Sequence, residues 1–359
     1  MSAYPGAEKE KRIALESLET LVEAVFEACG MQADDARLLA ATLASADLRG
    51  VHSHGSMRVP DYVAKLTRKG VDPRGRPRVA RDERAALVVD GGNAMGQIAA
   101  DFAMRHAIQR AADTGVAFAA IGNSNHCGAM AWYAMQALEH DMIGLAATNA
   151  LPTMAPWGGA ERLVGINPLA VAMPTASGAP FVLDTAFSGS AMGKIAVYKQ
   201  KGAPIPEDWA LDSQGRPTTD AAAAMHGLLR PIGGFKGVGL AMVMGILSTL
   251  LSGAAYGTRL GDLVDGPLPG RDGHFVMALD IAAFTDVAGF KNEMNALVEQ
   301  LRACRKSPGA DRIYSPGELE HETAQRYRAD GIPLNDTTLD GIAEAGRALG
   351  VDVSVISEL

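Results

Sequence analysis

The sequence predicts an α/β protein that carries an additional helical unit, and two patterns indicate this fold class. Between residues 85 and 184, short apolar runs typical of strands alternate with amphipathic segments typical of helices, across polar loops. This alternation is typical of a layered α/β domain. Residues 15–69 show only the helical period. Because 359 residues exceed the usual size of one compact core, we expect two domains.

The N-terminal segment predicts three helices. Leu15, Leu18, Val22 and Val25 fall on one stripe at three- and four-residue spacing, which is the pattern of an amphipathic helix. The segments that follow repeat this pattern, and Gly70 ends the last of them. The three predicted helices span residues 15–29, 34–47 and 59–69.

The α/β part is predicted to begin after a linker-like stretch at 72–77. Apolar runs predict strands at 85–90, 116–121, 143–148, 170–173, 181–184 and 275–281. Helical periodicity predicts helices at 97–112, 129–140, 238–251, 290–306 and 339–349. A further helix is predicted to start at 316–318, and the helix at 339–349 is predicted to be the last in the chain. The polar, proline-containing stretch 199–222 predicts an excursion or a lid-like loop.

Charge and cysteine content exclude several classes of protein. The net charge of −8 disfavours nucleic acid as the main partner, because phosphate binding requires a basic surface. Cys29, Cys127 and Cys304 are far apart and form no Cys-x-x-Cys motif, which predicts free thiols in a reducing, cytoplasmic compartment. The polar segment 1–12 carries no secretory signal. The apolar segment 237–257 has the length of a membrane span, but its Ser, Thr and Gly residues favour a buried helix.

The run His-Ser-His-Gly-Ser-Met-Arg at 52–58 is the first of three motifs that indicate chemistry. His54 and Arg58 are four residues apart, with small residues between them that leave the backbone open to a ligand. An imidazole can move a proton, and a guanidinium holds a carboxylate in a fixed orientation. The pair therefore predicts a site for a 2-oxo or 2-hydroxy acid.

The other two motifs are Asn-Ser-Asn-His-Cys-Gly at 123–128 and Gly-Gly-Phe-Lys-Gly at 233–237. His126 lies just before a predicted helix, whose free N–H groups suit a phosphate or carboxylate; the alternative is a core histidine that caps the helix. Nothing in the sequence marks Cys127 as an activated nucleophile, and packing explains it better. Lys236 precedes an apolar helix against the helix dipole, which favours a role in binding an anion over a solvated charge.

Two alternative classes of function remain at this point. His52, His54 and His126 could ligate the metal of a hydrolase, although no carboxylate cluster lies beside them and we expect no metal. The chain could also be a non-catalytic binding protein for small acids. No Gly-x-Gly-x-x-Gly follows any predicted strand, so the Rossmann fingerprint is absent. The residues alone therefore indicate a small anionic substrate, proton transfer by histidine and a phosphate-bearing cofactor in another kind of α/β site.

Seven runs, in one order along nearly the whole chain, resemble the type 2 malate/L-lactate dehydrogenase family. They lie at 47–58, 123–128, 165–170, 184–194, 205–211, 231–239 and 312–318. The family includes malate, lactate, sulfolactate and ureidoglycolate dehydrogenases, a diketogulonate reductase and reductases of cyclic imines. The resemblance implies an oxidoreductase that transfers a hydride between NAD or NADP and a small 2-hydroxy or 2-oxo acid. The alternatives are the reduction of piperideine or pyrroline carboxylates, or a ureidoglycolate or sulfolactate substrate.

The resemblance also implies a fold and an assembly. Residues 1–75 and 306–359 are expected to form a helical domain made from both chain ends. Residues 76–305 are expected to form a central NAD(P)-binding α/β domain, whose mixed sheet is largely antiparallel and not of the Rossmann type. A homodimer is expected, with the sites near the interface between its subunits.

Roles for individual residues follow from the same resemblance. His54, with Ser53 beside it, resembles the catalytic proton donor and acceptor, and Arg58 resembles the carboxylate anchor. His126 looks like part of the nicotinamide pocket, although in some members this histidine is the base, so both histidines stay candidates. The other residues that resemble cofactor contacts are Cys127, Gly128, Ala129, Met130, Asp184, Thr185, Ala186, Phe235, Lys236 and Arg312.

Three departures from the family pattern bear on the substrate. Ile166 replaces the threonine of a Gly-Thr-Asn-Pro run, so an apolar group takes the place of a hydroxyl on the substrate side. Phe235 replaces a histidine of the Gly-Gly-His-Lys-Gly run. Lys194 stands where the imine reductases carry aspartate, which favours hydroxy-acid chemistry. Ile166 and Lys194 are therefore candidate substrate contacts.

Overall fold

The computed structural model describes residues 9–200, 202–264 and 266–359. The first eight residues of the segment interpreted above as lacking a secretory signal lie outside this range. Within it, no helix has both the length and the apolar character needed to cross a membrane.

Thirteen strands lie within the described residues. They are β1 (Lys11–Ile13), β2 (Arg78–Glu83), β3 (Ala86–Asp90), β4 (Val116–Ser124), β5 (Met142–Thr148), β6 (Pro152–Met154), β7 (Val164–Gly165), β8 (Leu169–Met173), β9 (Phe181–Thr185), β10 (Ala210–Leu211), β11 (Leu228–Leu229), β12 (Asp272–Asp280) and β13 (Ile332–Leu334). Seven of them form the central sheet, in the order β2-β3-β4-β12-β5-β8-β9. Only β3 and β4 pair in parallel, and the other neighbours are antiparallel. The expected α/β architecture with a mixed, largely antiparallel sheet is confirmed.

Twelve α-helices accompany the strands in the same part of the chain. They are α1 (Leu15–Ala28), α2 (Ala33–Leu48), α3 (Val59–Thr67), α4 (Gly96–Thr114), α5 (Ala131–Gln136), α6 (Met192–Gln200), α7 (Ala221–Met225), α8 (Phe235–Thr249), α9 (Val287–Ala303), α10 (Glu318–Asp330), α11 (Asp336–Ala348) and α12 (Ser354–Ser357). Two short 3-10 turns, His52–His54 and Ser56–Arg58, join α2 to α3.

Among the residues that the structure describes, three apolar cores hold these elements together. The first joins both chain ends: α1, α2 and α3 pack against α11, with Leu18, Phe26 and Ile342 fully buried. The second lies between α4, α5 and the sheet and consists largely of alanines, which let the helices approach the strands closely. The third contains Ile195, Ile205 and Ala210. Met95, which precedes α4, and Ile98, in its first turn, belong to the first core, while the remainder of α4 belongs to the second.

Most predicted elements are found within a few residues of their expected bounds, and the differences have physical reasons. β2 was not predicted, because it is an exposed edge strand rich in charged residues and shows no apolar alternation. The helix predicted at 129–140 is shorter, since α5 gives way to a 3-10 turn, Ala137–His140. The short helix α12 follows α11, so the helix at 339–349 is not the last. The stretch 199–222 is not a free loop, because Ile205 and Ala210 are buried in the third core.

Candidate active site

Two cavities meet at the turn between α2 and α3. The first cavity has a volume of about 250 Å³ and lies along α3. The second cavity has a volume of about 620 Å³ and lies between α2, the loop before α5, β9 and the loop before α10. Both are lined by Ser53, His54, Gly128, Ile166, Pro168 and Ala191. A molecule in one cavity can therefore contact a molecule in the other beside His54.

A buried carboxylate fixes the turn that carries His54. Asp47, at the end of α2, is fully buried. Its side chain accepts hydrogen bonds from His52 Nδ1 at 2.7 Å and from the Ser56 backbone N–H at 2.6 Å. A Cβ atom on Gly55 would lie 2.1 Å from Asp47 Oδ1, so the turn can close on the carboxylate only because residue 55 is glycine.

His54 is held as a neutral imidazole beside a cation. Its Nδ1 lies 2.9 Å from the hydroxyl of Ser53, which orients the ring. Burial, followed by the positive charge of Arg58, lowers the pKa of His54 to about 4. At neutral pH the ring is therefore uncharged and able to accept a proton.

Arg58 lines the first cavity with part of its guanidinium already bound. Its Nε donates to the Ser53 carbonyl at 2.8 Å, and its Nη1 donates to Asp61 Oδ2 at 3.2 Å. These bonds fix the plane of the guanidinium and leave Nη2 for an anion. Tyr62 and Lys65 follow four and seven residues later on the same face of α3, and both also line this cavity.

His126 lies directly against His54. It follows β4 in the loop before α5, and its ring centroid is 5.8 Å from that of His54, with the rings nearly parallel at 14°. Its Nδ1 lies 2.7 Å from the Tyr62 hydroxyl. Burial, followed by the neighbouring His54 and Arg58, lowers the pKa of His126 well below 6.5. Both histidines are therefore neutral near pH 7.

Cys127 lines the first cavity as a buried thiol. Its Sγ lies 3.4 Å from Nδ1 of His274, which is itself buried. Burial raises the pKa of Cys127, so the sulfur stays protonated at neutral pH. These features agree with the packing interpretation made from the sequence.

The second cavity is lined by many of the residues for which the family resemblance implies cofactor contacts. Its walls include Gly128, Ala129, Met130, Asp184, Thr185 and Ala186. Asp184 Oδ2 accepts a hydrogen bond from the Ala131 backbone N–H at 2.8 Å. The loss of surrounding water in the cavity raises the pKa of this carboxyl above its ordinary value. The opposite wall is formed by residues 314–317.

Four of the sequence-predicted site residues line neither cavity. The ammonium group of Lys194 lies 4.9 Å from the ring of Trp209. Phe235 is exposed and contacts Trp157 edge to face, and Lys236 follows it at the start of α8. Arg312 lies over Tyr314 at the edge of the second cavity and pairs with two carboxylates, those of Glu318 and Glu322.

The three-histidine metal site considered from the sequence is not formed. His52 turns toward Asp47 and stacks on Tyr327, while His54 stacks on His126. Across the residues that the structure describes, no group of three or more His, Cys, Asp or Glu side chains is arranged to hold a metal ion.

The sequence interpretation missed several residues at the first cavity. Tyr62 and Lys65 could have been found from their helical spacing after Arg58, whereas Asp272 comes from the distant strand β12 and carried no signal. Gln97 of α4 does not line the cavity but donates to Tyr62, and it carried no signal either. Burial raises the pKa of Asp272 to about 7, and the nearby Lys65 opposes this shift. The cavity therefore holds more titratable groups than the motifs indicated.

Comparison with known proteins gives consistent results. A family model described as malate/L-lactate dehydrogenase matches residues 13–343. A malate dehydrogenase of Pyrococcus abyssi is 37% identical over 348 residues, which cover 95% of each chain. An NAD(+) ureidoglycolate dehydrogenase of Escherichia coli O157:H7 is 32% identical over 326 residues, 90% of this chain and 93% of that one. The solved structure of a sulfolactate dehydrogenase from Methanocaldococcus jannaschii superposes with a TM-score of 0.90 at 32% identity, covering 96% of this chain and 99% of that one.

Proposed function

The chain belongs to the malate/L-lactate dehydrogenase family of NAD(P)-dependent oxidoreductases, and we propose that it transfers a hydride between NAD or NADP and a small 2-hydroxy or 2-oxo acid. The observation that carries this proposal is the meeting of the two cavities at His54, with Arg58 in the smaller one. A short acid fits the first cavity, and a dinucleotide fits the second.

In this proposal, Arg58 binds the substrate carboxylate. Nε and Nη1 are already fixed by Ser53 and Asp61, so Nη2 is held in one orientation. Binding of the substrate therefore costs little side-chain conformational entropy. A charge-assisted hydrogen bond from Nη2 then places C2 of the acid at a fixed distance from the turn. The turn also carries His54.

His54 moves the proton on the C2 oxygen. In the oxidising direction, the neutral ring accepts the hydroxyl proton while the C2 hydride leaves toward the second cavity. In the reducing direction, the protonated ring returns that proton to the oxygen. A carboxylate bound at Arg58 offsets the charge that helps to lower the pKa of His54, so substrate binding raises this pKa and makes the protonated form accessible.

The second cavity fits a nicotinamide dinucleotide. Its volume of about 620 Å³ falls in the range of about 300–1,000 Å³ typical of ligand sites. Backbone groups of 128–131 and 184–186 and the side chains of Ser188, Ser190 and Arg49 line it and would hold the cofactor. The cofactor supplies the hydride acceptor or donor when bound.

Cyclic imine carboxylates are the alternative substrates. They also carry a carboxylate for Arg58 and accept a hydride at the carbon next to it. The sequence argument against them relied on Lys194, and the structure places that side chain on Trp209, outside both cavities. The preference for hydroxy acids therefore rests on the similarity to the malate, sulfolactate and ureidoglycolate dehydrogenases.

A substrate panel tests the proposed function. The purified protein is mixed with NADH or NADPH and with pyruvate, oxaloacetate, sulfopyruvate or piperideine-2-carboxylate, and the absorbance of the reduced nicotinamide is followed. We expect oxidation of the cofactor with at least one 2-oxo acid. Turnover of only the imine would identify a reductase of cyclic imines. Binding of cofactor without turnover of any member would contradict the proposal and support a binding protein.

We also propose that the protein is a homodimer that pairs through α8. This helix buries Val238 and Ala241 in the third core, yet it exposes a second apolar face. The exposed side chains are Phe235, Leu240, Met242, Val243, Ile246 and Leu250. A helix that is apolar on all sides is stable in water only when both faces are covered, and a second copy of the same helix offers a matching surface.

A cytoplasmic location is proposed from the cysteines. Cys29, Cys127 and Cys304 are free thiols, one of them exposed, which fits a reducing compartment. The acidic net charge supports the expectation of a small-molecule substrate and no nucleic-acid partner.

A further inference from the structure

Two buried side chains behind His126 control which of its ring nitrogens carries a proton. We propose that Gln97 is a positioning residue that, through Tyr62, holds neutral His126 as the tautomer protonated on Nε2, so that His126 donates a hydrogen bond into the first cavity while His54 carries the proton. The role of this tautomer in catalysis rests on the proposed function. The tautomer itself can be tested without any turnover.

The direction of the hydrogen bonds follows from the orientation of the Gln97 amide, whose NH₂ group faces Tyr62. Gln97 Nε2 donates to the Tyr62 oxygen at 2.9 Å. The hydroxyl proton of Tyr62 is then available to the next acceptor, which is His126 Nδ1 at 2.7 Å. A ring nitrogen that accepts this proton cannot carry one itself, so the proton of the neutral imidazole lies on Nε2.

A second contact indicates the same tautomer. The Gly128 backbone N–H points at His126 Nδ1 from 3.4 Å. A backbone N–H is always a donor, so a proton on Nδ1 would face it donor to donor. If the Gln97 amide were turned over, Tyr62 would donate to Gln97 and accept from Nδ1, and that arrangement would meet this unfavourable contact.

The fold brings Gln97 to this position by a close backbone contact. Gly96 begins α4, and a Cβ atom there would lie 2.0 Å from the Asn125 carbonyl oxygen and 2.7 Å from that of His126. Only glycine lets the first turn of α4 pack directly on the loop that carries His126. Gln97 and Tyr62 are both fully excluded from solvent, so water does not compete for these hydrogen bonds.

Burial, followed by the neighbouring side chains, lowers the pKa of His126 and keeps it neutral. His54 stacks on it, Arg58 lies nearby and His274 lies behind Cys127, and none of these three groups supplies a negative charge. With Nδ1 occupied and Nε2 protonated, His126 has no free lone pair with which to act as a base. Its remaining N–H is placed to stabilise an oxygen that gains negative charge during the reaction. Proton transfer then belongs to His54.

Long-range proton–nitrogen NMR of the full-length protein with ¹⁵N-labelled histidine tests the tautomer without any substrate. The signals of His126 are identified as those missing from His126→Gln. We expect the shift of an unprotonated nitrogen at Nδ1 and of a protonated one at Nε2. A protonated Nδ1 in the wild type overturns the proposal, whatever the substrate panel shows.

Two variants test the role of the relay. Gln97→Met removes the donor to Tyr62, and Tyr62→Phe removes the donor to His126, so in both the two nitrogen signals should move toward each other as the tautomers mix. Gln136→Met is the matched control, because Gln136 donates to Asp101 instead and the His126 signals should not move. Unchanged signals in Gln97→Met would overturn the role of Gln97.

Kinetics supply the catalytic readout once a substrate is known. The net contribution of one hydrogen bond, about 1 kcal/mol, corresponds to a loss of roughly fivefold in kcat for Gln97→Met, with cofactor KM within about twofold of the wild type. Equal losses of cofactor binding and kcat would point to general disruption of the site and reject a positioning role. If the wild type turns over no substrate of the panel, this contradicts the proposed function. It does not change what the NMR experiment shows about the tautomer of His126.

Discussion

At the scale of single residues, the site combines two histidines that have different environments. His54 contacts a hydroxyl and a cation, whereas His126 contacts a tyrosine and a backbone amide. Their different neighbours are the basis for the different roles that we propose for these identical side chains. The sequence showed that both were candidates but could not separate them, because Tyr62 and Gln97 reach His126 only in the folded chain.

Arg58→Lys tests the carboxylate anchor. Lysine keeps the charge but loses the planar group that binds Ser53, Asp61 and a carboxylate at once. We expect kcat/KM for the acid to fall by roughly 10- to 100-fold, the value of one charge-assisted hydrogen bond. Cofactor affinity, measured by titration, should stay within about twofold. An unchanged kcat/KM would reject the anchor role.

His54→Ala tests the proton carrier. The variant lacks the group that accepts the hydroxyl proton, so kcat should fall by about 10²–10⁴-fold, as expected for loss of general acid–base catalysis. Dinucleotide binding should persist, because most of the second cavity is unchanged. The decisive comparison is with His126→Gln: if that variant loses more turnover than His54→Ala, the assignment of the two roles is reversed.

His274→Asn tests the effect of a buried neutral histidine on stability. Burial lowers the pKa of His274 to about 4, against about 6.5 in the unfolded chain. The unfolded state therefore binds an extra proton as the pH falls from 6.5 toward 4, and the folded state loses stability there. Between pH 7 and pH 5, the wild type should lose about 2 kcal/mol more unfolding free energy than the variant, measured by urea denaturation. Parallel curves would show that His274 keeps its ordinary pKa.

At the scale of elements, the turn 52–58 shows how much of the site could be predicted. Its motif identified His54 and Arg58 because both belong to one short run. The reason for Gly55 was not visible, since its close neighbour is Asp47, whose carboxylate folds back onto the turn. Elements with apolar periodicity were predicted well. β2 was missed because it is an exposed, charged edge strand, and the packing of the segment around Ile205 was missed because its contacts are long-range.

Gly55→Ala tests this turn. The new methyl group would overlap Asp47 Oδ1, so the carboxylate or the turn must shift and the bonds to His52 and Ser56 are strained. We expect a loss of about 2–4 kcal/mol in unfolding free energy, comparable to disrupting a buried charged network. Activity should fall with it because His54 moves. Asp47→Asn, which keeps the shape of the side chain, should be milder; wild-type stability in Gly55→Ala would contradict the close contact.

At the scale of the whole molecule, the sequence predicted the mixed architecture but not the packing contacts between the two predicted domains. The first core joins residues near both chain ends, in line with the resemblance, and the division at 75/76 and 305/306 stays a prediction. The start of α4 lies beyond that division yet packs into the same core through Met95 and Ile98. Periodicity alone could not show that one helix serves two cores.

Val243→Glu tests the proposed dimer. Val243 lies on the exposed apolar face of α8, so a charge there should leave the monomer folded but prevent pairing. Light scattering after size-exclusion chromatography should show two subunits for the wild type and one for the variant. Glu299→Gln, on α9, is a control for charge that should not change the mass. A monomeric wild type would contradict the proposal.

The joining of both chain ends in the first core has a consequence for biosynthesis. The turn with His54 and Arg58 is translated long before α11, although α11 packs against α3 and against the Ser56–Arg58 turn. A nascent polypeptide that lacks α11 therefore carries the sequence motifs of the candidate site without the helix that packs behind them. We expect a chain truncated before α11 to contain these motifs in a turn that is not held in its folded position.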